Sequence, residues 1–292
     1  MKIDGYTRMA AVIAHPIRHS ISPFIHNLAY ELTATNAAYL AWDIAEEDLE
    51  STIYQIRKLD MIGANISMPY KQKVFPYLDE VDEMALKIGS VNTIVHRDGQ
   101  LKGYNTDGIG FFRSLPNDFS IQGENLVLLG AGGAALAIIA QAIKLGVKKI
   151  TVFVRKERLT YYQATVEGLE KAFGFSIRLA AIENDQDLQA SFDQADLILN
   201  ATGVGMDGHS LPIGSHLRFP PHALIADMAY YPAATPFLKL GREQGNTLNG
   251  LGMLFYQAQA AFEYMTEKPF PTEAVWKAMT NEYQQFVYES KS

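Results

Sequence analysis

Lys71 and Asp107 each stand just past a short β-prone run. Gly63 to Ser67 leads through Met68-Pro69-Tyr70 into Lys71, and Leu101 to Tyr104 leads through Asn105-Thr106 into Asp107. The carboxyl edge of a strand is where open α/β sheets collect their ligands. A lysine beside a carboxylate and an alcohol can pass a proton to a developing alkoxide, while the carboxylate holds the ammonium in place. Ser20, Ser22, Asn65, Ser67, Asn92 and Thr106 add hydroxyls and amides on loops of the same class. Uncharged donors in this number suit a polyhydroxylated acid better than a phosphate. Most lysines and aspartates are merely solvated, so the pair gains meaning only from what surrounds it.

A second constellation is the run Gly130-Ala131-Gly132-Gly133-Ala134-Ala135, which follows a β-prone segment and precedes a helical one. Such a turn presents free N–H groups and a helix dipole to a pyrophosphate. Ala135 stands where the third glycine is usual, a position that only has to be small. A ligand-free glycine turn and a methyltransferase loop remain rivals on this motif alone. At the end of the next strand an acid selects the ribose hydroxyls of NAD and an arginine the 2′-phosphate of NADP. The chain reads Val154-Arg155-Lys156-Glu157-Arg158 there, so it carries both signals. His15, His19 and His26 suggest a metal, but Pro16 breaks the helix that would align the first two, and no metal is expected. Tyr256, Phe262, Tyr264 and Trp276 read as helix-packing aromatics.

The elements that must position these groups alternate in type, the pattern of parallel sheets covered by helices, so the fold class is α/β. Strands are predicted at Arg8–Ala14, Ala38–Asp43 and Gly63–Ser67, with helices opening at Ser22-Pro23 and spanning Glu46–Leu59. Ser22 reads as an N-cap with proline at the first helical position. Val91–His96 and Leu101–Tyr104 form a hairpin through Asp98-Gly99. The pattern restarts with strand Leu126–Leu129, a helix to Leu145, a Gly146 stop and strand Lys149–Val154, one βαβ unit. Helices follow near Leu159–Ala172 and Asp185–Gln194, and strands at Leu197–Asn200 and Leu224–Asp227. Two last helices, Met253–Thr266 and one from about Thr272, are split by Lys268-Pro269-Phe270-Pro271.

At 292 residues the chain accommodates roughly two domains of about 150 residues. A formal net charge of −7 without a long basic run makes nucleic acid an unexpected partner. Cysteine is absent, which removes disulfides and thiolate chemistry and fits a reducing compartment. Redox chemistry would therefore use a borrowed cofactor. The apolar run Met9–Ala14 is too short for an export signal, and Leu126–Ala140 falls short of the ~18 to 20 residues that span a bilayer. A cytoplasmic protein with no membrane partner is expected.

Taken in order, HSISP (19–23), ANISMPYK (64–71), VNT (91–93), GYNTD (103–107), GAGGA (130–134), NAT (200–202) and GLGMLFYQ (250–257) resemble the shikimate dehydrogenase family along the whole chain. The resemblance implies reversible reduction of 3-dehydroshikimate to shikimate with a nicotinamide cofactor, in aromatic amino acid (chorismate) biosynthesis or quinate metabolism. It implies a substrate-binding catalytic domain over 1–106, completed by C-terminal helices 252–292, and a Rossmann-like doubly wound NAD(P)-binding domain over 107–251. By motif, Lys71 and Asp107 are the catalytic pair, Ser20 and Ser22 bind the substrate carboxylate, and Ser67, Asn92 and Gln257 bind ring oxygens. Tyr230, in MAYYP (228–232), matches a tyrosine near the substrate. Gly130, Ala131, Gly132, Gly133 and Ala134 would cradle the pyrophosphate, Arg155, Glu157 and Arg158 would face the adenine ribose, and Ala201, Thr202 and Gly252 would line the nicotinamide half.

Two departures bear on specificity. Family members commonly read Asn-Arg-Thr and a basic residue where this chain has Val154-Arg155-Lys156-Glu157, which predicts use of NAD as well as NADP. Ser67 replaces a common threonine, and ISMP with NATGVGM resembles the quinate/shikimate branch, which accepts either acid. The expected partners are a small-molecule acid and the dinucleotide, with a homodimer left open. A non-catalytic nucleotide-binding regulator of the same fold is the alternative, and the presence of both Lys71 and Asp107 speaks against it.

Overall fold

The segment RMAAVIA is apolar almost throughout, as a strand covered on both faces must be. It forms β1 (Arg8–Ala14), whose last five residues are buried. The computed structural model describes residues 3–18 and 20–289, so the reading of His19 lies outside the described residues. After β1 come α1 (Ser22–Leu32), β2 (Ala37–Asp43), α2 (Leu49–Lys58), β3 (Gly63–Ile66), β4 (Glu80–Val81), α3 (Glu83–Ile88), β5 (Thr93–Arg97) and β6 (Gln100–Tyr104). These strands make one mixed sheet in the order β2-β1-β3-β5-β6-β4. Parallel pairing of β1 with both β2 and β3 means that the chain leaves β1 to opposite sides in turn, which makes the carboxyl end of β1 and β3 a topological switch point.

Local chemistry explains several of these elements. Asp98 and Gly99 both adopt positive φ, +51° and +79°, the backbone that a two-residue hairpin turn between β5 and β6 requires. Glu46–Asp48 form a 3₁₀ turn ahead of α2, so the α-helix proper starts at Leu49 rather than Glu46. The short α3 has only a cap at each end to announce it: the Asp82 carboxylate accepts from the Met84 N–H, and Gly89 closes it at φ +69°. The sheet and its helices enclose a core that includes Ile53, Ile66, Tyr70, Val91 and Ile94.

The second half of the chain contributes α4 (Asp107–Arg113), β7 (Asn125–Leu129), α5 (Gly133–Lys144), β8 (Lys149–Val154), α6 (Leu159–Phe173), β9 (Ile177–Ala181), α7 (Asp185–Phe192), β10 (Leu197–Asn200), β11 (Leu224–Asp227), α8 (Pro236–Arg242) and β12 (Asn246–Leu248). All of its strand pairs are parallel, in the order β12-β11-β10-β7-β8-β9. Counted from β7, that is the 3-2-1-4-5-6 order of a doubly wound dinucleotide fold, with its switch point between β7 and β10. The chain ends with α9 (Leu251–Thr266) and α10 (Thr272–Glu289).

Two compact units result: one runs to Thr106 and resumes at Phe255, the other is Asp107–Leu254. The return falls at Phe255 rather than 252 because Gly252 is packed on the second unit, where an added Cβ would lie 2.7 Å from Ser114 Cβ. In the first unit, Phe262 packs on Tyr30 and Phe270, while the Tyr256 and Trp276 rings stack at 6.3 Å. No helix among the described residues is long and apolar enough to cross a membrane.

Candidate functional site

In the first unit, the two loops leaving the switch point are laced together by backbone hydrogen bonds. The Ser67 N–H donates to the Ile13 carbonyl at 3.0 Å and the His15 N–H to the Met68 carbonyl at 3.1 Å. Tyr70 is buried with its hydroxyl donating to the Ile44 carbonyl at 2.7 Å, which anchors the residue before Lys71. The Lys71 carbonyl accepts from the Val91 N–H at 2.9 Å, so the backbone of Lys71 adjoins the segment carrying Asn92. Ser67, Lys71 and Asn92 therefore belong to one edge of this sheet.

Asn92 ends a directional chain of buried side chains. The Tyr39 hydroxyl donates to Asn65 Oδ1 at 2.7 Å, Asn65 Nδ2 donates to Thr93 Oγ1 at 3.1 Å and to the Asn92 carbonyl at 3.2 Å, and the Thr93 hydroxyl donates to Asn92 Oδ1 at 2.9 Å. The Thr106 N–H donates to the same Oδ1 at 2.8 Å. A backbone carbonyl can only accept, so it fixes Asn65, and Asn65 in turn fixes Thr93 and the amide of Asn92. Asn92 thus keeps its oxygen on the Thr93 hydroxyl and the Thr106 N–H, while its Nδ2 donates to Thr106 Oγ1 at 3.0 Å.

Ser20 and Ser22 are brought together, but not as expected. Ile21 is the N-cap and already sits in the right-handed helical region, at φ −83° and ψ −5°, so Ser22 is helical and makes no capping bond. Instead the Ser20 hydroxyl accepts from the Ser22 N–H at 3.2 Å. The Ser20 hydroxyl thus takes the cap-like role expected of Ser22, two residues earlier. Gln257 lies half-buried on α9 within this unit.

Among the described residues there is no group of three or more His, Asp or Glu placed to hold a metal ion. His15 Nδ1 pairs with Asp43 Oδ1 at 2.6 Å. His26 is sealed in the core, its ring stacked on Tyr39 at 4.1 Å with neither nitrogen hydrogen-bonded. Desolvation lowers its pKa to about 3, so it is neutral.

In the second unit Asp107 opens α4 and is only 5% exposed. The next residue must be glycine, since a Cβ on Gly108 would strike the Ala137 carbonyl of α5. The turn after β7 is built by backbone. Gly130 has φ +98°, and a Cβ there would lie 3.1 Å from both the Ala201 carbonyl and Thr202 Cγ2, so the loops after β7 and β10 meet at the switch point. Gly132 caps α5 without a side-chain bond, and a Cβ on it would meet nothing within 4 Å. The first N–H groups of a helix have no partner within it, and here they follow a glycine turn, exposed at Gly132, with no side-chain cap, which fits the pyrophosphate of a dinucleotide.

Past β8, Arg155 Nε pairs with Glu157 Oε1 at 3.4 Å, and the Arg158 guanidinium lies 4.8 Å from the centre of the Tyr161 ring. The acid and the arginine that signal opposite nucleotides therefore contact each other. Tyr230 sits past β11, its phenol pKa raised by burial. The residue sequence reasoning passed over is Asp227, the last of β11 and 2% exposed. Thr93, Tyr39 and Asn65 are the corresponding omissions in the first unit, Asn65 having been noted only as a loop amide.

Comparison with known proteins agrees with this arrangement. Residues 12–94 match the shikimate dehydrogenase substrate binding domain and residues 250–280 the shikimate 5′-dehydrogenase C-terminal domain. The chain is 58% identical over 280 residues to the shikimate dehydrogenase (NADP(+)) of Streptococcus gordonii, covering 96% of this chain and 98% of that one. It is 53% identical to the protein of the same name from Streptococcus pneumoniae, covering 97% and 100%. Among solved structures, shikimate 5-dehydrogenase from Listeria monocytogenes in complex with shikimate and NAD superimposes with a TM-score of 0.89 at 36% identity, covering 96% and 98%. Quinate dehydrogenase from Corynebacterium glutamicum in complex with NAD does so with a TM-score of 0.83 at 27% identity, covering 94% and 99%. With relatives this similar over nearly its whole length, the chain belongs to the shikimate dehydrogenase family.

Proposed function

We infer that this chain catalyses the reversible, NADP-dependent oxidation of shikimate to 3-dehydroshikimate. The observation that carries the reading is the 58% identity to a shikimate dehydrogenase (NADP(+)) over 96% of the chain. The first unit, with α9 and α10, is the substrate-binding catalytic domain, and the second is the NAD(P)-binding domain. When bound, the nicotinamide supplies the hydride acceptor for oxidation and the hydride donor for the reverse reaction.

Lys71 takes the proton from the reacting hydroxyl as the carbon beneath it loses hydride, and returns it in the reverse direction. Asp107 is the acidic member of the catalytic pair. Ser20 and Ser22 bind the substrate carboxylate, while Ser67, Asn92, Gln257 and Tyr230 bind the rest of the acid. Asn92 offers the acid the second N–H of an Nδ2 whose first is given to Thr106 Oγ1, a reading supported by the acceptor role that Thr93 and Thr106 force on Oδ1. Gly130, Ala131, Gly132, Gly133 and Ala134 receive the pyrophosphate, Arg155 and Arg158 the adenine end, and Ala201, Thr202 and Gly252 the nicotinamide half. Glu157, by pairing with Arg155, weakens the claim of a 2′-phosphate on that guanidinium and admits NAD as a second nucleotide.

Quinate is a second acid for the same site. Ser67 favours it, because the smaller side chain leaves room that threonine would fill. The experiment is an absorbance assay of nicotinamide reduction with shikimate and quinate, each crossed with NADP and NAD. Reduction of NADP with shikimate, and slower reduction in the other three combinations, is expected. No reduction with shikimate and either nucleotide would overturn the assignment.

A further inference from the structure

Asp227 is a buried carboxylate that none of the roles above uses. Three donors from three different segments converge on it: the Ala229 N–H on Oδ1 at 2.9 Å, and the Thr235 hydroxyl and Asn200 Nδ2 on Oδ2 at 2.7 and 3.0 Å. Burial raises its pKa, and all three of these hydrogen bonds oppose that rise by favouring the charged form. A backbone N–H and the cap of α8 fix the carboxylate. What it then orients is Asn200, the fully buried last residue of β10.

Asn200 has one acceptor atom and one donor atom to distribute. Its Oδ1 accepts from the Thr202 N–H at 3.2 Å and the Thr202 hydroxyl at 2.7 Å. Its Nδ2 donates to the Val204 carbonyl at 3.0 Å as well as to Asp227. Reversed, the amide would set N–H against the Thr202 N–H and an oxygen against both the Val204 carbonyl and the carboxylate. Asp227 can only accept while ionised, so it selects the one orientation that closes the Ala201–Val204 loop. That loop also forms the wall on which Gly130 rests.

We propose that Asp227 is a positioning residue for the dinucleotide: through Asn200 it holds the Ala201–Val204 loop in the shape that receives the nicotinamide half. This rests on the reading above that Ala201 and Thr202 line that half.

The test is calorimetric titration of the full chain with NADP, alongside steady-state kinetics with shikimate. Asp227→Asn keeps the side-chain shape but leaves one donor facing an N–H. It should weaken NADP binding by about tenfold or more, the effect of unmaking a buried hydrogen bond to a charged group, with KM for shikimate within about twofold. Asn200→Ala removes the same latch without altering the carboxylate and should weaken NADP binding to a similar degree, which keeps the test open if Asp227→Asn does not fold. Thr235→Val removes one of the two groups that fix the carboxylate but leaves the Asp227–Asn200 hydrogen bond, so it should lower Tm and weaken NADP binding clearly less than Asp227→Asn does. If Asp227→Asn and Asn200→Ala both bind NADP as the wild type does, or if Thr235→Val weakens it as much as they do, Asp227 is a stability element only. If the wild-type chain itself binds no NADP, the functional reading fails first and the inference with it.

Discussion

Around Asn92 the first unit relies on side chains: a tyrosine, two asparagines and a threonine pass a donor direction from one to the next across three strands. At the turn after β7 the second unit relies on backbone, with Gly130 at φ +98° and a helix start that has no side-chain cap. The substrate proposed for the first unit is a ring bearing several hydroxyls, which needs donors and acceptors in fixed directions. The pyrophosphate proposed for the second needs only many N–H groups and room. Side-chain relays should therefore be sensitive to isosteric changes, and backbone cradles to added volume. Each unit also buries an ionisable group in a different way, His26 with no partner and Asp227 with three donors.

The largest effect is expected at the proton-transfer pair. Lys71→Ala and Asp107→Asn should each lower turnover by ~10² or more, with nucleotide affinity nearly unchanged. The double variant should be no worse than the poorer single one. Turnover near wild type in Lys71→Ala would place the proton transfer elsewhere. Next come the serines: Ser22→Ala should raise KM for shikimate by roughly tenfold to a hundredfold with kcat little changed, as for a hydrogen bond to a charged group worth about 1.5 to 3 kcal/mol. Because Ser20 accepts from the Ser22 N–H, Ser20→Ala also loosens the turn, so Ser22→Ala is the cleaner variant. An unchanged KM in a folded Ser22→Ala would move the carboxylate away from this loop.

A smaller effect separates the two buried ionisable groups by pH. The folded protein keeps His26 neutral down to about 3, whereas the unfolded chain protonates it near 6.5. Below about pH 6.5 the unfolded state binds more protons, so stability falls as pH falls, by up to roughly 1.4 kcal/mol per pH unit. His26→Phe keeps a ring on Tyr39 and should flatten the decline in urea-unfolding stability between pH 7 and pH 5. A variant with the wild-type slope would assign the acid sensitivity to other groups. The smallest effect is expected at the nucleotide's outer end. Glu157→Ala should raise the NADP to NAD ratio of kcat/KM a few-fold, because Arg155 loses its exposed partner. A ratio that stays put would assign the choice to the arginines alone.

Much of this was legible because it is local. The Asp98-Gly99 hairpin, the turn from Gly130 and the strands β8, β10 and β11 follow from neighbouring residues and periodicity alone. The relay to Asn92 was not legible, since Tyr39 and Asn65 are 26 positions apart and Asn65 and Thr93 are 28 apart. Asp227 reads in sequence as a solvated strand-end acid, and only the fold brings Asn200 to it from 27 positions away. Ser22 was misplaced as a cap because the serine-proline pair marks a helix start without saying that Ile21 is already helical. The short α3, β4, β9, α8 and β12 lack the length that a periodic signal needs.

The division of labour between the units is tested most directly by measuring both Michaelis constants in two variants. Asn92→Ala should raise KM for shikimate about tenfold or more and leave KM for NADP within about twofold. Gly130→Val, which forces a branched side chain into positive φ against the Ala201 carbonyl, should do the reverse, by roughly tenfold to a hundredfold for a strain of about 1 to 3 kcal/mol. That crossed pattern is the predicted result. If Asn92→Ala raises only the constant for NADP, or Gly130→Val only the constant for shikimate, the assignment of acid to the first unit and nucleotide to the second is contradicted.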